Sequence, residues 1–139
     1  MRLFIAANFD AELRARLHKT ASALRDAAPD VAWITAERLH LTLKFLGERD
    51  AELVPRLVAA LHKLGEETHP VNVRLGSFGA FPNFRRARVV WMGIEPMDQL
   101  AALAGNVDTV CSALGIAREE RPYRAHVTLG RVKRPLPAA

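Results

Sequence analysis

Leu3 and Ile5 sit in an extended apolar opening, Arg2 to Asn8, which a polar turn at Phe9-Asp10 closes. The period then changes from strand-like to helical. Leu13, Leu17, Ala21 and Leu24 form one stripe, predicting a helix capped by Asp10 and running to about Ala28. Val31 to Ile34 is a short strand candidate, and Thr35 to Arg38 a lead-in loop. Leu39 to Leu46 follows as a strand that Gly47 stops. Ala51 to Leu64 returns to helical spacing, with Pro55 early enough to be tolerated in the first turn. Val71 to Phe78 alternates as a strand, Pro82 to Arg86 is a basic loop, and Arg88 to Ile94 is extended again. Asp98 to Leu114 reads as a third helix with Gly115 as its stop. A charged loop, Ala117 to Arg124, leads into a last strand from Ala125 to Arg131. Strands and helices alternate without a linker or low-complexity tract, so residues 1–139 read as one α+β domain.

Two of the strands carry the same tetrapeptide pattern, His40-Leu41-Thr42-Leu43 and His126-Val127-Thr128-Leu129. Alternate side chains of an extended chain share a face, so each copy presents an imidazole and a hydroxyl together. The two histidines are 86 positions apart, and the same offset pairs other features. Arg2-Leu3-Phe4-Ile5 falls on Arg88-Val89-Val90-Trp91, the helix from Asp10 falls on Pro96 to Leu114, and Arg38 falls on Arg124. The shared order of strand, helix and histidine strand predicts two lobes, with the histidines facing across a cleft. Applying the offset to the helix and strand after the first histidine strand calls for more chain than follows the second. The second lobe therefore reads as incomplete, ending in the tail-like Arg134-Pro135-Leu136-Pro137-Ala138-Ala139.

Composition changes this picture little. Half the residues are apolar and a quarter charged, which is ordinary globular usage. A net charge of +5 favours an anionic partner. The single cysteine, Cys111, excludes a disulfide within one chain and a cysteine-based zinc site, and its helical neighbours predict a small core residue. No apolar run reaches membrane-spanning length, and the N-terminus lacks a signal-peptide pattern. A cytoplasmic setting without a membrane partner is the default expectation.

The chemistry to which two such strands point is acid–base work at a phosphate. One imidazole can take a proton from an incoming nucleophile while another delivers one to a leaving oxygen. Thr42 and Thr128, on the faces of His40 and His126, are placed to donate to the nonbridging oxygens as charge develops there. A metal is a poor alternative: neither motif offers a metalloprotease-type pair or a third ligand. His18, His62 and His69 read as surface residues. Lys44 shares the parity of His40 and Thr42, which allows approach to the site or a solvated strand end. Arg131 has the wrong parity for His126 unless Gly130 marks a bulge. Arg38 and Arg124 share the histidine face and reach either phosphates or the acids Glu37, Glu119 and Glu120. Phe45 and Tyr123 could stack on a base, although parity alone puts Phe45 in the core. Arg85, Arg86, Arg118, Arg121, Arg124, Arg131, Lys133 and Arg134 make up the candidate RNA-backbone surface.

His40-Leu41-Thr42-Leu43-Lys44-Phe45-Leu46-Gly47-Glu48 and Arg121-Pro122-Tyr123-Arg124-Ala125-His126-Val127-Thr128-Leu129-Gly130-Arg131 resemble the two signatures of the 2H phosphoesterase superfamily. Within it the chain is most similar to the RNA 2′,3′-cyclic phosphodiesterases, also called 2′-5′ RNA ligases. The resemblance implies a bilobal α+β fold with pseudo-twofold symmetry, antiparallel sheets flanking a central cleft, and no cofactor or required metal. It implies hydrolysis of terminal 2′,3′-cyclic phosphates to 2′-phosphates, with joining or cleavage of 2′-5′ linkages in some members. The partners implied are RNA with such ends, or cyclic nucleotides. His40 and His126 would be the catalytic pair, with His126 as base and His40 as acid. Thr42, Thr128 and Arg131 would bind phosphate, which favours the bulge at Gly130, while Phe45 would line the site. Lys44 and Arg124 remain candidate substrate contacts. Two other readings stay open: a non-catalytic module binding RNA ends, and an enzyme for a different small cyclic phosphate.

Overall fold

A computed structural model describes residues 1–27 and 30–133, except for the side chains of Ala27 and Phe84. The expected helix end at Ala28 and the tail from Arg134 lie outside the described residues. The order is β1 (Arg2–Asn8), α1 (Ala11–Thr20), α2 (Ser22–Ala27), β2 (Val31–Trp33), β3 (His40–Glu48), α3 (Leu53–Glu67), β4 (Arg74–Phe81), β5 (Val89–Glu95), α4 (Met97–Ala113) and β6 (His126–Val132). The fold is α+β, as the alternating periods predict, and its strand pairing is antiparallel, as the family resemblance implies.

Local chemistry accounts for most element boundaries. The Asp10 carboxylate accepts from the Leu13 amide at 2.7 Å and starts α1, and His18 and Lys19 complement the dipole in its last turn. The single helix expected from Asp10 is broken at Ala21, which is 2 % exposed and caps α1 through its N–H to Leu17. The Arg25 amide donates to the Ala21 carbonyl at 3.0 Å, so α2 begins at once and the apolar stripe continues. In α4 the stripe Leu100, Ala104, Val107 and Cys111 is buried, so Cys111 is the core residue expected. Gly115, at φ +88°, ends the helix in a conformation that other residues resist. Gly47 has φ +70° but lies inside β3 and does not end it. Thus β3 runs to Glu48, two residues beyond the predicted last residue Leu46.

The chain forms two compact units. The first takes Met1–Ala6, Thr42–Val73 and Pro96–Ala125. Its core packs Ile5, Leu46, Leu57, Val107, Cys111 and Ile116, with Leu43, Leu53 and Leu61 against them. The second takes Ala7–Leu41, Arg74–Glu95 and the chain from His126. Its sheet has the order β2-β6-β5-β4, while β1 and β3 pair in a separate two-stranded sheet. The sequence repeat is visible as strand, helix and histidine strand in β1-α1-β3 and in β5-α4-β6. Strands of both halves nevertheless share the larger sheet. β4, from the first half, pairs with β5 because only the short loop of residues 82–88 joins them, and short connections favour antiparallel hairpins.

Candidate active site

The second histidine strand is positioned by its register with β5. Gly93 faces His126, Met92 faces Val127 and Trp91 faces Thr128, but Val90 then faces Gly130 and Val89 faces Arg131. Leu129 is the extra residue of a β-bulge, and it reverses parity downstream of itself. Val89, Trp91 and Gly93 lie on one face of β5 by alternation, so Arg131, Thr128 and His126 lie on one face of β6. Strict alternation would have put Arg131 on the other side with Val127. The bulge left open by the sequence is present, one residue before Gly130. Gly130 is itself required: a Cβ there would lie 2.6 Å from Val31 Cγ1 and 3.1 Å from the Ala32 carbonyl.

The His126 ring is held by aromatic neighbours that sequence reasoning did not single out. Phe81 lies edge-on to it with centroids 5.4 Å apart, and Trp91 at 5.9 Å. Phe81 and Trp91 also touch each other at 5.2 Å. Trp91 can lie flat over β4 because its cross-strand partner is Gly79. A Cβ on Gly79 would stand 2.1 Å from Trp91 Cζ2. We expect Gly79→Ala to displace the indole, lower stability by about 1–3 kcal/mol as overpacking does, and disorder the His126 ring. Urea unfolding and the histidine NMR resonances would check both effects. The legible signal was the pairing of a lone glycine with a large aromatic across a hairpin, which needs the register to be known first.

His40 opens β3 one residue after a 3-10 turn at Ala36–Arg38. Its Nδ1 lies 2.8 Å from the Arg38 carbonyl oxygen. A carbonyl only accepts, so Nδ1 carries the hydrogen and Nε2 is the atom left to exchange a proton. Thr42 follows on the same face of β3. Its backbone carbonyl accepts the Tyr123 hydroxyl at 2.7 Å. Burial pushes the Tyr123 phenol up to about 12, so it remains a donor across the physiological range. Tyr123 is therefore tied to β3 through its hydroxyl.

Lys44 and Phe45 depart from the strand pattern in opposite directions. Lys44 is not a solvated strand end: it is 7 % exposed, and its Nζ donates to Asp108 Oδ1 at 2.7 Å and to the Ala117 carbonyl at 3.1 Å. Asp108 also accepts the Glu119 amide at 3.2 Å. Burial raises the Asp108 carboxyl, but the Lys44 hydrogen bond, the Glu119 amide and the charges of Lys44 and Arg118 together hold it below its ordinary value. Phe45, placed in the core by parity, is 72 % exposed, with its ring 6.3 Å from that of the half-exposed Phe4. The reason is that β1 and β3 form only a two-stranded sheet, and the first unit's core already closes on Leu43 and Leu46.

The loop before β6 holds Arg124, exposed, as are Arg118 and Arg121. Arg118 approaches Asp108 at 4.0 Å and Arg121 approaches Glu119 at 3.7 Å. His62 pairs with Glu66 on α3, and the His18 carbonyl accepts from Arg25 in the second unit. Among the described residues no three His, Cys, Asp or Glu side chains are grouped as a metal site requires. No described helix is long and apolar enough to cross a membrane.

Histidine–threonine strands of this kind, on antiparallel sheets of an α+β chain, define a class of phosphoesterase. The chain belongs to the LigT-like phosphoesterase family, whose profile ("LigT like Phosphoesterase") matches residues 9–91 and 94–139. It is similar to the RNA 2′,3′-cyclic phosphodiesterase of Archaeoglobus fulgidus, 36 % identical over 138 residues, covering 99 % of this chain and 76 % of the relative. The enzyme of the same name from Thermus thermophilus is 35 % identical, with 99 % and 71 % covered. Among solved structures, a Thermus thermophilus protein superposes with a TM-score of 0.83 at 33 % identity, covering 99 % of this chain and 78 % of that one. Escherichia coli LigT complexed with 3′-AMP gives 0.72 at 29 %, with 99 % and 76 % covered.

Proposed function

We propose that this protein is an RNA 2′,3′-cyclic phosphodiesterase in which His40 and His126 act as an acid–base pair on one phosphate. The observation that carries the reading is the bulge at Leu129, which puts a cation, a hydroxyl and an imidazole on one sheet face. Family membership and the names of the relatives point to the same substrate class.

In the proposed reaction water attacks phosphorus in line with O3′. His126 accepts the water proton as the new P–O bond forms. The P–O3′ bond breaks, and protonated His40 delivers its Nε2 proton to the departing oxygen. The products are a 2′-phosphate and a free 3′-hydroxyl. Thr42, Thr128 and Arg131 donate to the nonbridging oxygens, where charge accumulates in the transition state. The Arg38 carbonyl keeps the Nδ1 hydrogen of His40 in place throughout, so only Nε2 changes state. No step requires a metal. With an RNA 5′-hydroxyl in place of water, the same displacement leaves a 2′-5′ linkage. His40 and His126 exchange roles when that linkage is cleaved.

The test is hydrolysis of 2′,3′-cyclic AMP in excess EDTA, with the two product isomers resolved by chromatography. The expected result is 2′-AMP alone, at a rate the chelator does not change. Formation of 3′-AMP, or loss of activity on chelation that zinc or magnesium restores, would sink the proposed mechanism.

A further inference from the structure

Two groups of basic residues in this chain differ in their surroundings. Those in the loop before β6 are interleaved with acids, and Arg118 and Arg121 face Asp108 and Glu119. A second group lies at one end of the four-stranded sheet. Arg85 and Arg86 lie in a 3-10 turn at Phe84–Arg86 in the loop between β4 and β5, with Asn83 Oδ1 accepting their amides at 3.0 and 3.1 Å. Arg88 closes that loop: its amide donates to the Phe81 carbonyl at 2.8 Å, and its carbonyl accepts from Val132 at 2.9 Å. Lys133, the residue directly after β6, donates its amide to the Asp30 carbonyl at 2.8 Å. These bonds hold the main chain of all four residues at this end of the sheet. All four side chains are exposed, and none is in a salt bridge among the described residues.

This end of the sheet is where β6 arrives after passing His126, Thr128 and Arg131. At about 3.3 Å per residue, the end lies roughly 20 Å along the strand from His126. A terminal cyclic phosphate at His126 would leave the preceding sugar-phosphate chain needing a cationic path, and β6 leads to unneutralised cations. We propose that Arg85, Arg86, Arg88 and Lys133 bind the upstream phosphodiesters of a single-stranded RNA whose cyclic end occupies the site. This inference rests on the cyclic phosphodiesterase reading and narrows its substrate to oligoribonucleotides, for which mononucleotides are truncated analogues.

The experiment compares wild type with Arg85→Ala/Arg86→Ala on 2′,3′-cyclic AMP and on a short oligoribonucleotide ending in 2′,3′-cyclic phosphate. Both substrates are assayed across a salt series, and binding of the oligomer is followed by fluorescence anisotropy. The expected result is a loss of about tenfold in kcat/KM for the oligomer at low salt. Each phosphate contact on a single strand contributes about 0.7 to the slope of log affinity against log salt. The binding slope should therefore shrink by about 1.4, while hydrolysis of cyclic AMP stays unchanged. Arg85→Lys/Arg86→Lys, which keeps the charges, should recover most of the slope. Unchanged oligomer affinity and salt slope would overturn the proposal, and so would equal losses on both substrates. Absence of turnover on either substrate, with the salt slope still lost in the double variant, would overturn the catalytic reading and leave the RNA surface standing.

Discussion

Lys44→Ala is expected to destabilise the protein by about 3 kcal/mol, as removing one partner of a buried ion pair does. The side chains of Lys44 and Asp108 are only 5 % and 16 % exposed, so water cannot replace the lost ammonium. Asp108 keeps the Glu119 amide and the more distant Arg118, which places the loss at the lower end of the range for such pairs. For a chain of this size the melting temperature should fall by about 10 °C, measurable by calorimetry at neutral pH. The pH dependence carries a sign. The Asp108 carboxyl is held below its ordinary value of 3.8 in the folded state. The stability it contributes is present above that value and is lost as pH falls through the lowered folded value. Lys44→Ala should move this acid-induced loss to higher pH. Lys44→Met/Asp108→Leu, which removes both charges, should recover most of the stability. A Lys44→Ala protein as stable as wild type would show that the pair is not the buried anchor its geometry describes.

The second large effect falls on the histidines. Removing a positioned general acid or base typically costs 10² to 10⁴ in rate, so His40→Ala and His126→Ala should each lower kcat for a 2′,3′-cyclic nucleotide by about 10³. On the proposed mechanism KM should change little, because the imidazoles would act mainly in the transition state while the threonines and Arg131 would still hold the phosphate. Arg131→Ala should show the opposite balance, with KM rising along with a loss in kcat. Near-wild-type turnover in either histidine variant would remove that residue from the mechanism.

Much of this site could be read from the chain because a strand has a fixed period. The His-x-Thr spacing alone puts His40 with Thr42 and His126 with Thr128. The period alone misplaced Lys44 and Phe45, and it placed Arg131 on the histidine face only with the bulge that Gly130 suggested. Arg131 depends on one extra residue, Leu129, inserted against β5, and an insertion becomes visible only when the partner strand is known. Lys44 is buried because Asp108, far away in sequence, supplies a counter-charge from α4. Phe45 is exposed because its sheet has only two strands, a count that alternation does not encode. The elements themselves followed local rules. Asp10 starts α1, Gly115 ends α4, and Pro55 sits early in α3, as their side chains dictate. The pairing of β2 with β6 is a tertiary choice, and the β4–β5 hairpin joins strands of the two halves, so the duplication predicted the order of elements but not how the strands are shared between sheets.

The account turns on His40 and His126 working as one acid and one base on the same phosphate. The most direct measurement is the pH dependence of kcat/KM for 2′,3′-cyclic AMP hydrolysis by wild type, His40→Ala and His126→Ala. The wild type should give a bell-shaped profile whose two ionisations belong to the histidine pair jointly. His40→Ala should lose the alkaline limb, where the acid is deprotonated, and His126→Ala the acidic limb, where the base is protonated. A wild-type profile with a single limb, or a bell that survives intact in either variant, would contradict it.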